Sequence, residues 1–200
     1  MTGAGELAPV FARLKRALAL RPPVHAERDE PYKEAAVALL LRVADDDEVE
    51  LMLIRRSRRD GDPWSGQIGL PGGRWSDDDG TLERTALRET HEEVGLDVLV
   101  HGEVIGELDE LRPRTPVLPP IIVRPYVVGL RTLPTLELSE EVAEMRWVRL
   151  SELFLPATRI STSVRVRDVQ MRVDAYQIGD FTVWGMTERI LATFAESWRQ

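Results

Sequence analysis

The stretch GLPGGRWSDDDGTLERTALRETHEEVGLD, residues 69–97, places Glu89, Glu92 and Glu93 beside Arg88 in one run of helix-forming residues. Like charges three and four positions apart on a helix repel by roughly 0.2–0.5 kcal/mol per pair, so helix formation alone would favour interleaved lysines. At 100° per residue, with Glu89 at zero, Glu92 falls at about −60° and Glu93 at about +40°, so the three carboxylates share a sector of roughly 100° and converge. Leu87, Thr90 and Val94 take the adjoining sector and would anchor the helix to a sheet, while His91 points away from the glutamates. The helix is expected from about Thr81 to Val94, stopped by Gly95. Three hard oxygen ligands beside an apolar stripe make a site for Mg²⁺ or Mn²⁺, and the planar fork of Arg88 can hold carboxylates in position. Just upstream, Gly72 and Gly73 let the backbone turn sharply and approach a ligand, so a glycine carbonyl can join a metal shell and a phosphate can fit.

Working outward, EAAVALLLRV (34–43) and EVELMLIRRS (48–57) are strand-like runs joined by the acidic turn ADDD, which predicts a hairpin. Residues 98–108, VLVHGEVIGEL, and 120–131, PIIVRPYVVGLR, read as strands separated by the Pro-rich loop LRPRTPVLPP (111–120). VAEMRWVRLSEL (142–153) reads as a strand and turn. Residues 164–185 alternate like a hairpin, and MTERILATFAESW (186–198) closes the chain as an amphipathic helix. Residues 6–20 form another amphipathic helix, stopped by the connector RPPVHAERDEP.

The bulk numbers exclude several classes. Two hundred residues suffice for one well-cored domain, and 43% hydrophobic with 30% charged residues is an ordinary globular composition. A formal charge of −8 argues against nucleic acid or an anionic membrane surface as partner. The absence of cysteine removes disulfides, thiolate metal sites and cysteine nucleophiles, and fits a cytoplasmic protein. No apolar run reaches the roughly eighteen residues of a membrane span, and Arg13, Lys15 and Arg16 interrupt the N-terminus where a signal peptide would be apolar. A homodimer is compatible with these features.

RETHEEVGL, residues 88–96, resembles the second half of the Nudix hydrolase signature, REUxEExGU with U aliphatic, departing only in Thr90 at the first U. The first half of that signature has a glycine, five residues, a glutamate and seven further residues. Here five residues lead from Gly73 to Asp79, and eight separate Asp79 from Arg88. An aspartate with the longer spacer resembles the coenzyme A pyrophosphatase branch, as do GQIGLPGG (66–73), SEEVAEM (139–145) and WGMTERIL (184–191). Trp64 stands where that branch has histidine, and Leu70 where it has phenylalanine.

The resemblance implies an α/β (α+β) fold, a Nudix-type mixed β-sheet sandwiched between α-helices, with residues 1–30 as N-terminal helix and connector and 31–200 as the Nudix domain. It implies hydrolysis of the diphosphate linkage in a small-molecule nucleoside diphosphate joined to a group X. Coenzyme A or its acyl esters are favoured by the motif, and ADP-ribose, dinucleotides or nucleoside triphosphates are the alternative. A noncatalytic binding module is a third reading, opposed by the intact glutamates. Glu89, Glu92, Glu93 and the Gly73 carbonyl are expected to bind Mg²⁺ or Mn²⁺, and Arg88 to orient the glutamates. Beyond the helix, Glu141, six residues before Trp147, is the expected further acid, with Glu140 and Glu144 as competitors. Arg55, Trp64, Gln67 and Gly72 are the expected substrate contacts. Arg55 belongs to the run Arg55, Arg56, Arg58 and Arg59, a kind of run that is usually solvated, and loop packing is the commoner role for a tryptophan placed like Trp64.

Overall fold

A strand apolar on both faces has to lie between two layers, and β1 (Lys33–Val43) is such a strand. Ala35, Leu39 and Leu41 enter one core with Phe11, Leu191 and Phe194, while Ala36, Ala38 and Leu40 enter another with Leu82, Ala86 and Val94. The computed structural model describes residues 5–61, 64–113, 120–166 and 169–199. β1 pairs with β2 (Val49–Arg56) in the expected antiparallel hairpin, Leu41 opposite Leu51 and Val43 opposite Val49. Its turn uses Asp47 at φ 63, a conformation that short polar side chains tolerate.

The same sheet contains β3 (Ile68–Gly69), β4 (Gly72–Arg74), β5 (Gly102–Glu107), β6 (Ile121–Leu130) and β7 (Val142–Arg149). β6 runs parallel to β1, with Ala35 opposite Val123, and the other pairings are antiparallel. The sheet is therefore mixed. Helix α1 (Pro9–Leu20) and helix α5 (Gly185–Trp198) cover one face, and α2 (Leu82–Val94) covers the other, as the sequence implies. Two four-residue helices, α3 (Val98–His101) and α4 (Leu150–Leu153), complete the α-helices among the described residues. A second sheet has three strands, β8 (Arg159–Val166), β9 (Val169–Ile178) and β10 (Phe181–Trp184), in the order β10-β9-β8.

Both ends of α2 fall where the local signals put them. Thr81 caps its start by accepting from the Arg84 amide at 3.2 Å. Gly95, left-handed at φ 72, ends it with its amide on the His91 carbonyl at 2.9 Å. Elsewhere two expectations give way. Residues 98–101, expected as strand, form α3: Asp97 accepts from the Leu99 amide and its carbonyl takes the His101 amide, both at 3.0 Å, so the cap outweighs the β-branched run. The expected hairpin at 164–185 is part of a three-stranded meander that begins earlier, at Arg159. The expected Pro-rich loop lies largely outside the described residues.

α1 buries Phe11, Leu14 and Leu18 in the same core as β1 and α5. The connector after it is strapped to residues 109–112: Arg21 pairs with Asp109 at 2.7 Å, Arg28 with Glu110 at 2.7 Å, and Arg112 with Asp29 and Glu30. The segment before residue 31 and the sheet that follows thus share one hydrophobic core. Among the described residues no helix is long and apolar enough to cross a membrane.

Candidate active site

The acidic edge of α2 meets β4 across the two glycines. Gly72 sits at φ 152, pressed so closely on β1 that a Cβ would strike the Ala36 carbonyl and the Val37 backbone. Its amide donates to the Glu93 carboxylate at 2.9 Å. At Gly73 a Cβ would occupy the position of the Glu89 carboxylate. These glycines are what allow the strand and the helix carboxylates to approach.

The three glutamates differ in exposure. Glu93 is buried with its side chain 3% exposed, Glu89 is mostly enclosed, and Glu92 is 56% exposed. Arg88 stands among them rather than simply beside Glu92: it pairs with Glu89 at 2.8 Å and Glu92 at 3.0 Å and donates to the Arg74 carbonyl at 3.2 Å. Arg56 pairs with Glu93 at 3.2 Å. Burial pushes Glu93 up to about 7 despite the Gly72 amide and Arg56, and the charges of Glu89 and Glu141 add to the rise. Burial likewise raises Glu89 above the ordinary carboxylate value, opposed by Arg88 and assisted by Glu92 and Glu141. Carboxylates in so dry a setting need counter-charge, which Arg88 and Arg56 supply here.

Asp79, whose role the sequence leaves open, is buried on the short 3-10 turn Asp77–Asp79. It accepts from Arg88 Nε at 2.7 Å and Nη2 at 3.0 Å, from Thr85 Oγ1 at 2.8 Å and from the Ser76 amide at 3.0 Å. The Arg88 hydrogen bonds hold its carboxyl well below the usual range. Asp79 therefore fixes the guanidinium that in turn fixes Glu89 and Glu92.

The loop before β7 folds over the end of α2. The Ser139 amide donates to the Glu93 carbonyl at 3.0 Å, the Glu137 amide to the Val94 carbonyl at 3.2 Å, and the Ser57 amide to the Glu141 carbonyl at 2.8 Å. Of the three candidate acids, Glu141 reaches the cavity, paired with Arg59 at 3.0 Å. Glu140 is exposed and does not line it. Glu144 faces Arg55 at 3.1 Å and Arg146.

Glu89, Glu92, Glu93 and Glu141 share a cavity of about 610 Å³ with Gly72 and Gly73. Trp64 and Gln67, two of the expected substrate contacts, line it as well. Arg55 does not. Its guanidinium pairs with Glu144 and with Asp180 at 2.7 Å and lies over the Phe181 ring, 4.7 Å from the centroid. Arg56 and Arg59 of the same run line it instead. Alternation along β2 sends neighbouring residues to opposite faces, and the β2–β7 register shifts at Arg55 and Arg56. Sequence reasoning missed the contribution of α5 through Met186, Thr187 and Ile190; WGMTERIL was the signal for it.

Among the described residues no three acidic or histidine side chains are gathered tightly enough to form a ready-made ion cage, and Arg88 and Arg56 supply counter-charge. The donor chemistry nevertheless fits a hard divalent ion: the candidate side-chain ligands are all carboxylates, and the missing Cβ of Gly73 lets the Glu89 carboxylate lie against the β4 backbone.

A mixed sheet between helices, with one helix presenting acids to a glycine turn, defines the Nudix class, and the comparisons agree. The family model described as NUDIX domain matches residues 32–166. The chain belongs to the Nudix hydrolase family. It is 35% identical over 163 residues to the peroxisomal coenzyme A diphosphatase ndx-8 of Caenorhabditis elegans, covering 80% of this chain and 66% of that protein. It is 30% identical over 192 residues to the uncharacterized Nudix hydrolase NudL of an Enterobacter strain, covering 91% of each. The chain thus spans just under two thirds of the nematode relative, and 33% of the length of a Schizosaccharomyces pombe relative. A crystal structure of a MutT/nudix family protein from Enterococcus faecalis has the same fold, with TM-score 0.58 and 20% identity over 92% of this chain and 68% of that one.

Proposed function

We propose that the chain is a divalent-metal-dependent hydrolase that cleaves the diphosphate linkage of coenzyme A or acyl-coenzyme A, giving 4′-phosphopantetheine (or its acyl form) and adenosine 3′,5′-bisphosphate. The observation that carries this reading is the shared cavity in which Glu89, Glu92, Glu93 and Glu141 meet the glycine turn. The GQIGLPGG run and the coenzyme A diphosphatase among the relatives support the substrate.

Glu89, Glu92, Glu93 and the Gly73 carbonyl would hold Mg²⁺ or Mn²⁺. When bound, such an ion neutralises diphosphate oxygens, polarises phosphorus and lowers the pKa of water. Arg88, braced by Asp79, keeps Glu89 and Glu92 in place, and Arg56 with the Gly72 amide does the same for Glu93. Glu141, oriented by Arg59, accepts the proton of the attacking water. The new P–O bond forms as the bridging P–O bond breaks, and the released phosphate oxygen carries away the electron pair.

Trp64 on the cavity wall favours a second reading, in which an aromatic face stacks on the base of ADP-ribose, a dinucleotide or a nucleoside triphosphate. A panel of coenzyme A, acetyl-coenzyme A, ADP-ribose, NADH, diadenosine polyphosphates and nucleoside triphosphates, with Mg²⁺ or Mn²⁺ and products identified by mass, separates the two. Inactivity on coenzyme A with clear turnover of another compound would replace the first reading by the second.

A further inference from the structure

The family match ends at residue 166, yet α5, at Gly185–Trp198, supplies a wall of the cavity. Met186 and Ile190 are four positions apart and therefore share one side of the helix, and both line the cavity with Thr187 between them. Across from them, on the α5 face of the sheet, lie Val37 of β1 and Ile121 and Val123 of β6. The parallel register sets Ile121 and Val123 beside Lys33 and Ala35, so their side chains follow one another along the floor of the same chamber. Among these six residues, Thr187 carries the single polar side-chain atom. α5 also closes against β3, since a Cβ on Gly69 would lie 3.9 Å from Thr187 Oγ1.

One cavity thus joins two kinds of surface. One is charged and built on α2, β4 and Glu141; the other is aliphatic and built on β1, β6 and α5. Reading the edge of a base takes convergent donors and acceptors, which Val37, Ile121, Val123, Met186 and Ile190 do not offer. They offer contact area to a flexible hydrocarbon, and Met186 can adapt to its shape.

We propose that Met186 and Ile190 of α5 are specificity-determining residues that face the aliphatic arm of an acyl-coenzyme A and set the acyl length the enzyme prefers. This inference rests on the coenzyme A reading above. The WGMTERIL segment then has a role: Trp184 and Gly185 lead the chain from β10 into α5, and the next turn of the helix selects substrate.

The test is equilibrium binding of coenzyme A and its acetyl, butyryl, hexanoyl and decanoyl esters in EDTA, where a metal-dependent reaction cannot consume them. Parallel kcat/KM measurements use Mg²⁺. For the wild type, affinity should rise roughly fourfold per added methylene (~0.8 kcal/mol) until the chamber is filled, and then level off. Met186→Ala should move that levelling point to longer chains, and Ile190→Phe should move it to shorter ones. Thermal melting checks that each variant is folded. If Ile190→Phe does not fold, Met186→Ala and Met186→Phe carry the test with opposite expected shifts. Binding and cleavage of coenzyme A with affinity independent of acyl length, or with the levelling point unmoved in folded variants, would overturn the inference and leave the proposed function standing. Failure to bind or cleave any coenzyme A species, with turnover of another nucleotide, would overturn both.

Discussion

Gly72 and Gly73 are adjacent, yet alanine should affect them in opposite ways. Gly73 lies outside the positive-φ region, and the atoms its Cβ would strike are the carboxylate of Glu89, the far end of a side chain. Ordinary contact begins near 3.4 Å, so Glu89 must retreat by about 1 Å, a displacement that costs on the order of 10²-fold in rate when it disturbs a reacting geometry. Stability should change by less than about 1 kcal/mol, since alanine also narrows the unfolded ensemble. Gly72 is different. Its φ of 152 strains any other residue, and its Cβ would meet the backbone of β1, including Val37 Cα at 2.6 Å. Overpacking of roughly 1–3 kcal/mol and backbone strain of roughly 1–3 kcal/mol together predict a loss of about 4 kcal/mol. In a chain of this size that lowers the melting temperature by about 8–16 °C. The assay is turnover of coenzyme A with Mg²⁺ beside thermal unfolding of both variants. Wild-type turnover in Gly73→Ala, or a Gly72→Ala protein that melts with the wild type, would refute the reasoning.

Glu92→Gln and Glu93→Gln should each remove most diphosphate hydrolysis while the fold persists; a Mg²⁺ or Mn²⁺ titration with melting curves checks this, and wild-type turnover in both would sink the ligand assignment. Asp79→Asn breaks the brace behind Arg88, so stability should fall by ~1.5–3 kcal/mol and turnover by about tenfold or more, read from urea midpoints and initial rates. Glu141→Gln should lower turnover by roughly 10²–10⁴-fold with metal affinity little changed, whereas Glu144→Gln should be near wild type; the reverse pattern would move the proton acceptor to Glu144. Burial opposes the charge of Glu110, but hydrogen bonds from Arg28, Arg124 and the Ala26 amide outweigh it and bring its pKa down to about 2. A depressed acid stabilises above its unfolded value, so about 3 kcal/mol present at neutral pH should be lost as pH falls from about 4.5 to about 2. Urea midpoints of wild type and Glu110→Gln should converge over that window, and a gap that stays constant with pH would contradict it.

What could be read from the sequence was what local chemistry determines. Thr81 and Gly95 mark the ends of α2 because capping depends on nearest neighbours, and the β1–β2 hairpin follows from two apolar runs flanking an acidic turn. The run at 98–101 misled because three apolar residues and a histidine carry no period; the signal that decides it is Asp97 as a cap. Arg55 was misplaced for a related reason. Neighbours on a strand point opposite ways, and where the β2–β7 register shifts, the sequence does not say which of Arg55 and Arg56 faces the cavity. The brace from Asp79 to Arg88 was out of reach because it depends on segments that meet only in the folded chain, and WGMTERIL marks α5 without saying that it walls the cavity.

The acidic edge also opposes the stability of the fold that carries it. Glu93 is 3% exposed, and burial above all, with the charges of Glu89 and Glu141 adding to it, raises its pKa to about 7, so its charged form is held against both burial and repulsion. The Gly72 amide and Arg56 offset that cost at Glu93, while Arg88, itself held by a buried aspartate, supplies counter-charge to Glu89 and Glu92. A chain shaped by stability alone would replace this arrangement with apolar packing. Activity and stability should therefore separate at one residue. Glu93→Gln keeps an oxygen that can accept from the Gly72 amide and removes the repulsion from Glu89 and Glu141, so the variant expected to lose turnover should melt no lower than the wild type. A purely structural glutamate paired with Arg56 would behave the other way, losing stability on neutralisation and leaving turnover intact.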